Sequence, residues 1–403
     1  MNRSAAVSES DASARWCRTL LVYGLLWFLG LYLRLTVLVV PPLIPQLKSS
    51  LGFTGGEVAI ATSLPLVTLA LGGLGAGWLL ARVGVLSSML LGLVVMAGGS
   101  ALRSVPEGFL AMMAATVIMG VGIAFMQAAM PILAKLWSPG HIGRASAVYT
   151  NGLLVGELLA AGATGPMVAV LLGGQWQWAF ALWVAPVPLL MLALVAGSPL
   201  LPDTGHRSSS AELVLPDLHD ARMWRLVALL GAAAALYFTG NVFLPPLLEA
   251  SDRLALLAPS LITLNGAQIF SSALLIIYAD RLMGRHRIMV GIIASALVAL
   301  PLMLWLPGQH VVWAAGVFGF FTSALFIFVL ALPAWLVRVE ALPRLMGGML
   351  FFGYLLVFFI TVLGGWLSDF SGTVALAFLP TLMISLAAMR CIPRLFVSHQ
   401  REV

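Results

Sequence analysis

The segment from Leu20 to Val40 reads LLVYGLLWFLGLYLRLTVLVV and holds one charged side chain, Arg34. About 20 predominantly apolar residues are needed for an α-helix to cross the roughly 30 Å hydrocarbon core of a bilayer. The segment is long enough, and it lacks the small-residue cleavage site of a secretory signal peptide. It predicts a membrane-spanning helix with a cation inside it, where a charge is costly and usually serves function.

The composition of the whole chain is that of a membrane protein. Of its 403 residues, 61% are hydrophobic and 9% are charged, whereas a soluble domain has about 45–50% apolar and about 25% charged residues. The formal net charge is +6. Because the basic residues lie in short loops, without interleaved aromatic residues, we expect them to orient the chain in the membrane and to bind no nucleic acid.

Twelve apolar segments are long enough to span a bilayer, and a polar stretch at 198–222 separates the first six from the last six. We interpret this stretch as a cytoplasmic linker. The sequence therefore predicts an all-α membrane protein with an N-terminal six-helix bundle at 1–197 and a C-terminal six-helix bundle at 223–403. The predicted spans, numbered 1 to 12, are 19–42, 57–80, 86–103, 109–134, 144–170, 176–197, 223–246, 257–279, 287–306, 311–336, 346–367 and 373–391.

The distribution of Lys and Arg predicts on which side of the membrane each loop lies. Seventeen of these 21 residues fall in the termini or in loops on the same side as the termini. Lys48, Arg103 and Arg253 are assigned to loops of the other side. Since cytoplasmic loops carry an excess of Lys and Arg, both termini are expected in the cytoplasm, with the chain in a bacterial inner membrane.

Sequence landmarks recur after about 200 residues. Pro41-Pro42 near the end of span 1 recurs as Pro245-Pro246 near the end of span 7, at an offset of 204. Arg144 at the start of span 5 recurs as Arg344 before span 11, at an offset of 200. A gene duplication that produced two six-helix halves accounts for these offsets.

The loops that follow spans 2 and 8 read GWLLARVG at 77–84 and DRLMGRHR at 280–287. Both resemble the signature loop of the major facilitator superfamily, although Ala81 stands where that family has Asp. The resemblance implies two pseudo-symmetric six-helix bundles that expose a central site alternately to the two sides of the membrane. It also implies a gating role for Gly77, Arg82, Gly84, Asp280, Arg281, Gly284 and Arg285.

The first half resembles, more specifically, the cyanate and nitroimidazole transporter (CynX/NimT) family. The resemblance rests on Leu33-Arg34, on PLIPQL at 42–47, on TSLP at 62–65 and on WQWA at 176–179. It implies a small anionic or polar substrate, such as a cyanate-like anion or a small carboxylate. It leaves uptake and efflux open.

Arg34 in span 1 and Glu157 in span 5 are the two ionisable residues that lie well inside the predicted spans. At 1.5 Å per residue, both are expected about 20 Å from the cytoplasmic edge. Arg34 could bind an anion through its planar guanidinium, pair with Glu157, or extend outward to the membrane surface. Glu157 could carry a coupling proton, be the fixed counter-ion of Arg34, or pack with a hidden hydrogen bond.

Uncharged polar residues deep in the spans complete the predicted substrate site, although each could instead hold helices together. Asn265, Gln268 and Ser272 share one face of span 8. At an offset of 204 from Arg34 stands Phe238, so the charge has no equivalent in the second half, as expected of a group that serves a ligand. The predicted substrate-binding residues are Arg34, Gln127, Tyr237, Asn241, Asn265, Gln268 and Tyr354.

The predicted function is secondary active transport of a small anionic or polar solute by alternating access, coupled to protons or to exchange. An exporter of nitroimidazole-like compounds or drugs is the alternative. A membrane-embedded enzyme is a remote alternative, because the six His residues lie outside the predicted spans and no phosphate-binding loop occurs.

We therefore expect no catalytic residue, metal or cofactor. The expected partners are a small-molecule substrate, the lipid bilayer and, with proton coupling, protons, and the chain is expected to act as a monomer.

Overall fold

The computed structural model describes residues 2–53, 55–105, 108–201 and 216–400. Within them, twelve helices are long and apolar enough to cross a membrane, so the prediction of twelve spans is confirmed. Spans 1 to 12 are Trp16–Leu35, Leu64–Val83, Val85–Leu102, Phe109–Trp137, Ile142–Val170, Trp178–Leu200, Ala221–Ala250, Leu254–Leu282, His286–Trp305, His310–Leu336, Val339–Ser371 and Val374–Phe396.

Several helices extend beyond these spans or contain short irregular turns. The helix of span 1 begins at Asn2, that of span 2 at Gly55, and that of span 12 ends at Gln400. Spans 8, 11 and 12 begin as 3₁₀ turns, and span 6 is two helices, Trp178–Val184 and Val187–Gly197, followed by a 3₁₀ turn. Much of the predicted linker, residues 202–215 with Asp203, His206, Arg207, Ser208–Ser210 and Glu212, lies outside the described residues.

Span 1 is shorter than predicted, because its helix ends at Leu35 and not at 42. Val37 and Leu38 both donate their backbone N–H to the Arg34 carbonyl oxygen, each at 3.1 Å, which closes the last turn. Beyond this break the chain forms a 3₁₀ turn and a short helix, Ile44–Leu51. Arg34 therefore lies in the last helical turn, where the partial negative charge of the helix end favours a cation.

The matching proline pair does not end span 7. Pro245 and Pro246 lie inside the helix Ala221–Ala250, which continues past its predicted end at 246. A proline removes one backbone N–H, but neighbouring groups in a membrane bundle can compensate. The same residue pair is thus compatible with a continuous helix, and the early end of span 1 needs a further cause.

The packing of the helices shows the symmetry of a duplicated chain. Spans 1 and 5 pack together as spans 7 and 11 do, and spans 2 and 3 pack on span 4 as spans 8 and 9 pack on span 10. Gly84 and Gly284 have the same positive φ of 85° in the turns after spans 2 and 8, a conformation that glycine adopts without strain. The predicted architecture of two pseudo-symmetric bundles is confirmed.

The two halves meet along two seams, span 2 with span 11 and span 5 with span 8. We call the side with the turns after spans 2, 4, 8 and 10 the basic side, and the opposite one the far side. Arg103 lies in the turn directly after span 3 on the far side, and its side chain is fully buried. The sequence placed it in a loop of that side but could not show its burial, because Thr36 and Phe180, which it contacts, are far from it in the chain.

Candidate functional site

A small cavity of about 20 Å³ lies between the two halves. This volume holds about one water molecule, so the two halves are packed closely around the site. Spans 1, 5, 7, 8 and 10 all contribute to its wall, so both halves face the same space. The lining includes Arg34, Glu157, Tyr237, Phe238, Gln268 and Ser323.

Arg34 is the cation of the cavity wall and is only 6% exposed. This burial rules out the interpretation in which its side chain extends to the membrane surface. Arg34 lies close enough to Tyr354, Glu157 and Tyr237 for electrostatic interaction. Within the described part of the chain, no ion pair joins its guanidinium to a carboxylate at 4.0 Å or less. The donors of the guanidinium are therefore not occupied by a fixed, direct counter-ion.

Glu157 connects the two halves through a hydrogen bond. The Tyr237 hydroxyl of span 7 donates to its Oε1. Its Oε2 is buried and has no hydrogen-bond partner among the described residues. Because a buried acceptor without a donor costs free energy, this oxygen is available to a proton or to a donor group of a ligand.

Glycines let spans 1 and 5 approach closely beside Arg34 and Glu157. Gly30 of span 1 and Gly152 and Gly156 of span 5 lie where an added Cβ would overlap the backbone of the opposite helix. Small residues of this kind let two membrane helices approach closely. Arg34 lies one turn beyond Gly30, and Glu157 follows Gly156, so both side chains lie next to the close contact of the two helices.

Gln127 and Tyr354 form a second polar contact between the halves. The Gln127 Nε2 donates to the Tyr354 hydroxyl at 2.5 Å, and both side chains are buried. Tyr354 also interacts with Arg34. These two predicted site residues are not part of the cavity lining given above, and they contact the site through Arg34.

Asn241, Asn265 and Gln268 form a hydrogen-bonded chain in the second half. Asn265 Nδ2 donates to Asn241 Oδ1 at 3.1 Å, and Gln268 Nε2 donates to Asn265 Oδ1 at 3.1 Å. Of these three, Gln268 lines the cavity. Ser272, one turn further along span 8, accepts a hydrogen bond from Asn151 of span 5 at 2.9 Å. The polar face of span 8 is therefore turned toward the first half.

Four polar or aromatic lining residues were not predicted from the sequence: Thr150, Thr322, Ser323 and Phe326. Thr322 and Ser323 are adjacent hydroxyl residues inside an apolar span, which is a signal that could have identified them. The hydroxyl oxygens of Thr150 and Thr322 are buried and have no partner in the described ranges. Phe238, the repeat counterpart of Arg34, lines the same cavity.

On the basic side, the predicted gating residue Asp280 joins the halves. Its carboxylate accepts a hydrogen bond from the Arg144 backbone N–H at 2.9 Å and lies 2.9 Å from the His141 Nδ1. The unpaired backbone N–H groups at the N-terminus of span 5, and the positive end of its helix dipole, favour a carboxylate at this position. Nearby, the Lys135 Nζ of span 4 donates to the Ala334 carbonyl oxygen of span 10 at 2.7 Å.

The seam between spans 2 and 11 is closed by backbone contact. A Cβ built at Gly77 would lie 2.9 Å from the Pro343 carbonyl oxygen and 3.4 Å from the Gly347 Cα. With the Asp280 and Lys135 contacts, this packing closes the basic side. Of the other predicted gating residues, Arg82 lies over the Trp78 ring of its own half, Arg281 and Arg285 are exposed, and Gly84 and Gly284 shape the turns.

Comparison with known proteins agrees with the sequence resemblance. The profile of the Major Facilitator Superfamily matches residues 26–321. The cyanate transport protein CynX of Escherichia coli (strain K12) is 25% identical over 287 residues, which are 71% of this chain and 74% of that protein. The 2-nitroimidazole transporter of the same strain is 28% identical over 237 residues, 57% of this chain and 58% of that protein. The predicted resemblance to these transporters is confirmed.

Solved structures show the same fold. The proton:xylose symporter XylE bound to 6-bromo-6-deoxy-D-glucose superposes with a TM-score of 0.72 at 13% identity, and the match covers 92% of this chain and 94% of that chain. At this identity the likeness concerns the fold alone. Since the family profile matches most of the sequence and the twelve helices pack in the same way, the chain belongs to the Major Facilitator Superfamily of transporters.

Proposed function

We propose that this chain is a secondary active transporter that binds a small anion at Arg34 and exposes it alternately to the two sides of a membrane. The observation that carries the proposal is a buried guanidinium in the wall of the cavity between the halves. A planar fork of N–H donors suits cyanate, nitrate or a small carboxylate. The relative named as a cyanate transport protein supports the same substrate class.

The closed basic side supports an alternating-access cycle. Asp280, Lys135 and Gly77 contact the opposite half there. The excess of Lys and Arg favours a cytoplasmic location for this side and for both termini. We therefore infer a carrier that is closed to the cytoplasm, acts as a monomer in a bacterial inner membrane, and opens inward when these three contacts separate.

A nitroaromatic compound is the second candidate substrate. Phe238 and Phe326 line the same cavity as Arg34, and one relative is named a 2-nitroimidazole transporter. A planar ring can stack on these aromatic side chains, while its nitro oxygens accept hydrogen bonds from Arg34. This candidate ligand needs no full negative charge, so binding of neutral nitroimidazoles can be distinguished by experiment from binding of anions.

A thermal-shift screen of the purified protein is expected to identify the substrate class. A ligand at 100 times its Kd stabilises the folded state by about 2.7 kcal/mol. We expect cyanate, nitrate or small carboxylates to raise the Tm at constant ionic strength, and Arg34→Lys to remove the rise. A rise with nitroimidazoles alone would favour the second candidate, and an anion-induced rise that persists in Arg34→Lys would exclude Arg34 as the anion site.

Glu157→Gln is expected to remove the acceleration of uptake by acidic pH while anion binding persists. Glu157 is our candidate for the coupling proton, because its Oε2 is buried without a partner among the described residues. The glutamine keeps an oxygen for the Tyr237 hydroxyl and removes the titratable charge. Uptake into proteoliposomes at several pH values measures the effect. Glu249→Gln, the same change at an exposed carboxylate near the end of span 7, is the matched control, and an unaltered pH profile in Glu157→Gln would contradict this role.

A further inference from the structure

Arg103 is a fully buried cation on the far side of the first half. Its Nη2 donates to the Thr36 carbonyl oxygen at 2.7 Å and to the Ser100 Oγ at 3.3 Å. Its guanidinium carbon lies 4.4 Å from the centroid of the Phe180 ring in span 6. One side chain thus connects spans 3 and 6 with the end of span 1.

The hydrogen bond to Thr36 falls on the broken end of span 1. Thr36 is the first residue after the helix and the second after Arg34. The last carbonyl groups of a helix have no intrahelical donor and need one from elsewhere, and Arg103 supplies it from another span. The landmarks on either side of Arg103, Gly84 with Gly284 and Arg144 with Arg344, repeat at an offset of 200. This offset places Met303 opposite Arg103 in the second half, and the Met303 side chain offers no donor. There the equivalent proline pair lies within a continuous helix.

Span 6 supports the same helix end from a second direction. The Tyr32 hydroxyl donates to the Trp183 carbonyl oxygen at 3.3 Å, and the Trp183 Nε1 donates to the Thr164 Oγ1 at 2.9 Å. The Ser100 Oγ, which accepts from the guanidinium, also donates to the Phe180 carbonyl oxygen at 3.2 Å. The last turn of span 1 is therefore held by hydrogen bonds from spans 3 and 6.

The burial of Arg103 is energetically expensive. Its Nε and Nη1 are buried without a hydrogen-bond partner in the described part of the chain. A buried cation with unmatched donors costs free energy, so an apolar side chain would pack these helices at lower cost. An apolar side chain could not, however, donate to the carbonyl that the break in span 1 leaves open.

We propose that Arg103 is a positioning residue for Arg34: it caps the broken end of span 1 and thereby fixes the place of the Arg34 guanidinium in the cavity wall. This inference rests on the proposed anion site. It makes the geometry of that site depend on a residue that lies outside the cavity lining described above, on the far side of the bundle.

Hydrogen–deuterium exchange and anion affinity test this role together. In Arg103→Met, a variant of similar length, we expect the amides of residues 36–40 to exchange about tenfold faster, because their anchoring hydrogen bond is lost. We expect the Kd for the anion to rise about tenfold, because the guanidinium is displaced. Cyanate and nitrate are the probes, and Arg103→Lys, which keeps one donor, should give intermediate values for both.

Arg253→Met is the matched control on the same side of the second half. Arg253 also donates to a backbone carbonyl, that of Leu306 at 2.8 Å. Its replacement is expected to leave the exchange of residues 36–40 and the anion affinity unchanged. If Arg103→Met does not fold, Arg103→Lys decides, since wild-type values for both measurements in that variant would overturn the proposal.

The outcomes separate this proposal from the proposed function. If neither anion binds to the wild type, the proposed function fails, whatever the exchange rates are. If the anion binds and Arg34→Lys abolishes binding, but Arg103→Met keeps the wild-type affinity, the positioning role is overturned while the anion site stands. Faster exchange with unchanged affinity has the same meaning, because Arg103 would then be a structural residue only.

Discussion

Replacing Arg34 with lysine is expected to abolish saturable anion uptake although the positive charge is kept. Hydrogen bonds to charged groups contribute about 1.5–3 kcal/mol each, and lysine cannot reproduce the planar two-donor geometry of a guanidinium. We therefore expect affinity to fall by a factor of roughly 10–100 for each bond that is lost. Uptake of labelled cyanate into proteoliposomes, with the Kd from thermal-shift titration, measures the change.

Arg253→Lys is the control for the arginine-to-lysine change itself. Arg253 bonds the Ser251 Oγ and the Leu306 carbonyl oxygen on the far side of the bundle. Its lysine variant is expected to transport as the wild type does. Normal uptake by Arg34→Lys or by Arg34→Ala, at equal amounts of folded protein, would contradict the anion site.

A single methyl group at Gly77 is expected to disfavour the conformation with a closed basic side. The added Cβ would lie 2.9 Å from the Pro343 carbonyl oxygen, which is backbone and cannot move aside without shifting span 11. Overpacking of this kind typically costs about 1–3 kcal/mol, so we expect the populations of the two conformations to change by roughly tenfold or more. Uptake should fall as well, because transport needs both conformations.

Labelling of a cysteine in the cavity measures this shift. The reporter is a Thr150→Cys variant in which Cys17 and Cys391 are replaced by serine. In inside-out vesicles, where a thiol reagent added outside reaches the cytoplasmic face, this cysteine is expected to react faster when Gly77→Ala is also present. Gly75→Ala is the matched control in the same span, because its Cβ would meet the Phe125 ring at an ordinary 3.7 Å. Equal labelling rates in both alanine variants would show that Gly77 does not control closure.

The twelve spans and their duplication could be predicted from the sequence because both depend on local properties. Apolar runs of sufficient length cross a bilayer whatever their neighbours are, and the recurring proline pair and loops identify the two halves. The end of span 1 could not be predicted in this way. Span 7 has the same proline pair inside a helix, and the difference coincides with a hydrogen bond between Arg103 and Thr36, residues far apart in the chain.

Part of the candidate site could be predicted from the sequence. Arg34 and Glu157 stand out because ionisable side chains are rare inside apolar spans. The partners of the other polar residues could not be inferred, since the pairing of Gln127 with Tyr354 depends on the rotation of two helices from different halves. The hydroxyl residues Thr322 and Ser323 were not singled out because such side chains often bond within their own helix.

The cavity wall contains one guanidinium and one carboxylate, Arg34 and Glu157. With both ionised, the empty carrier moves no net charge through its centre, whereas a monovalent anion adds one negative charge to the loaded carrier. The membrane potential acts on each moving charge with about 2.3 kcal/mol per 100 mV. If Arg34 binds the anion as proposed, we expect the return of the empty carrier to be independent of voltage. We expect the loaded step to be electrogenic, unless a proton travels on Glu157 and renders it electrically silent.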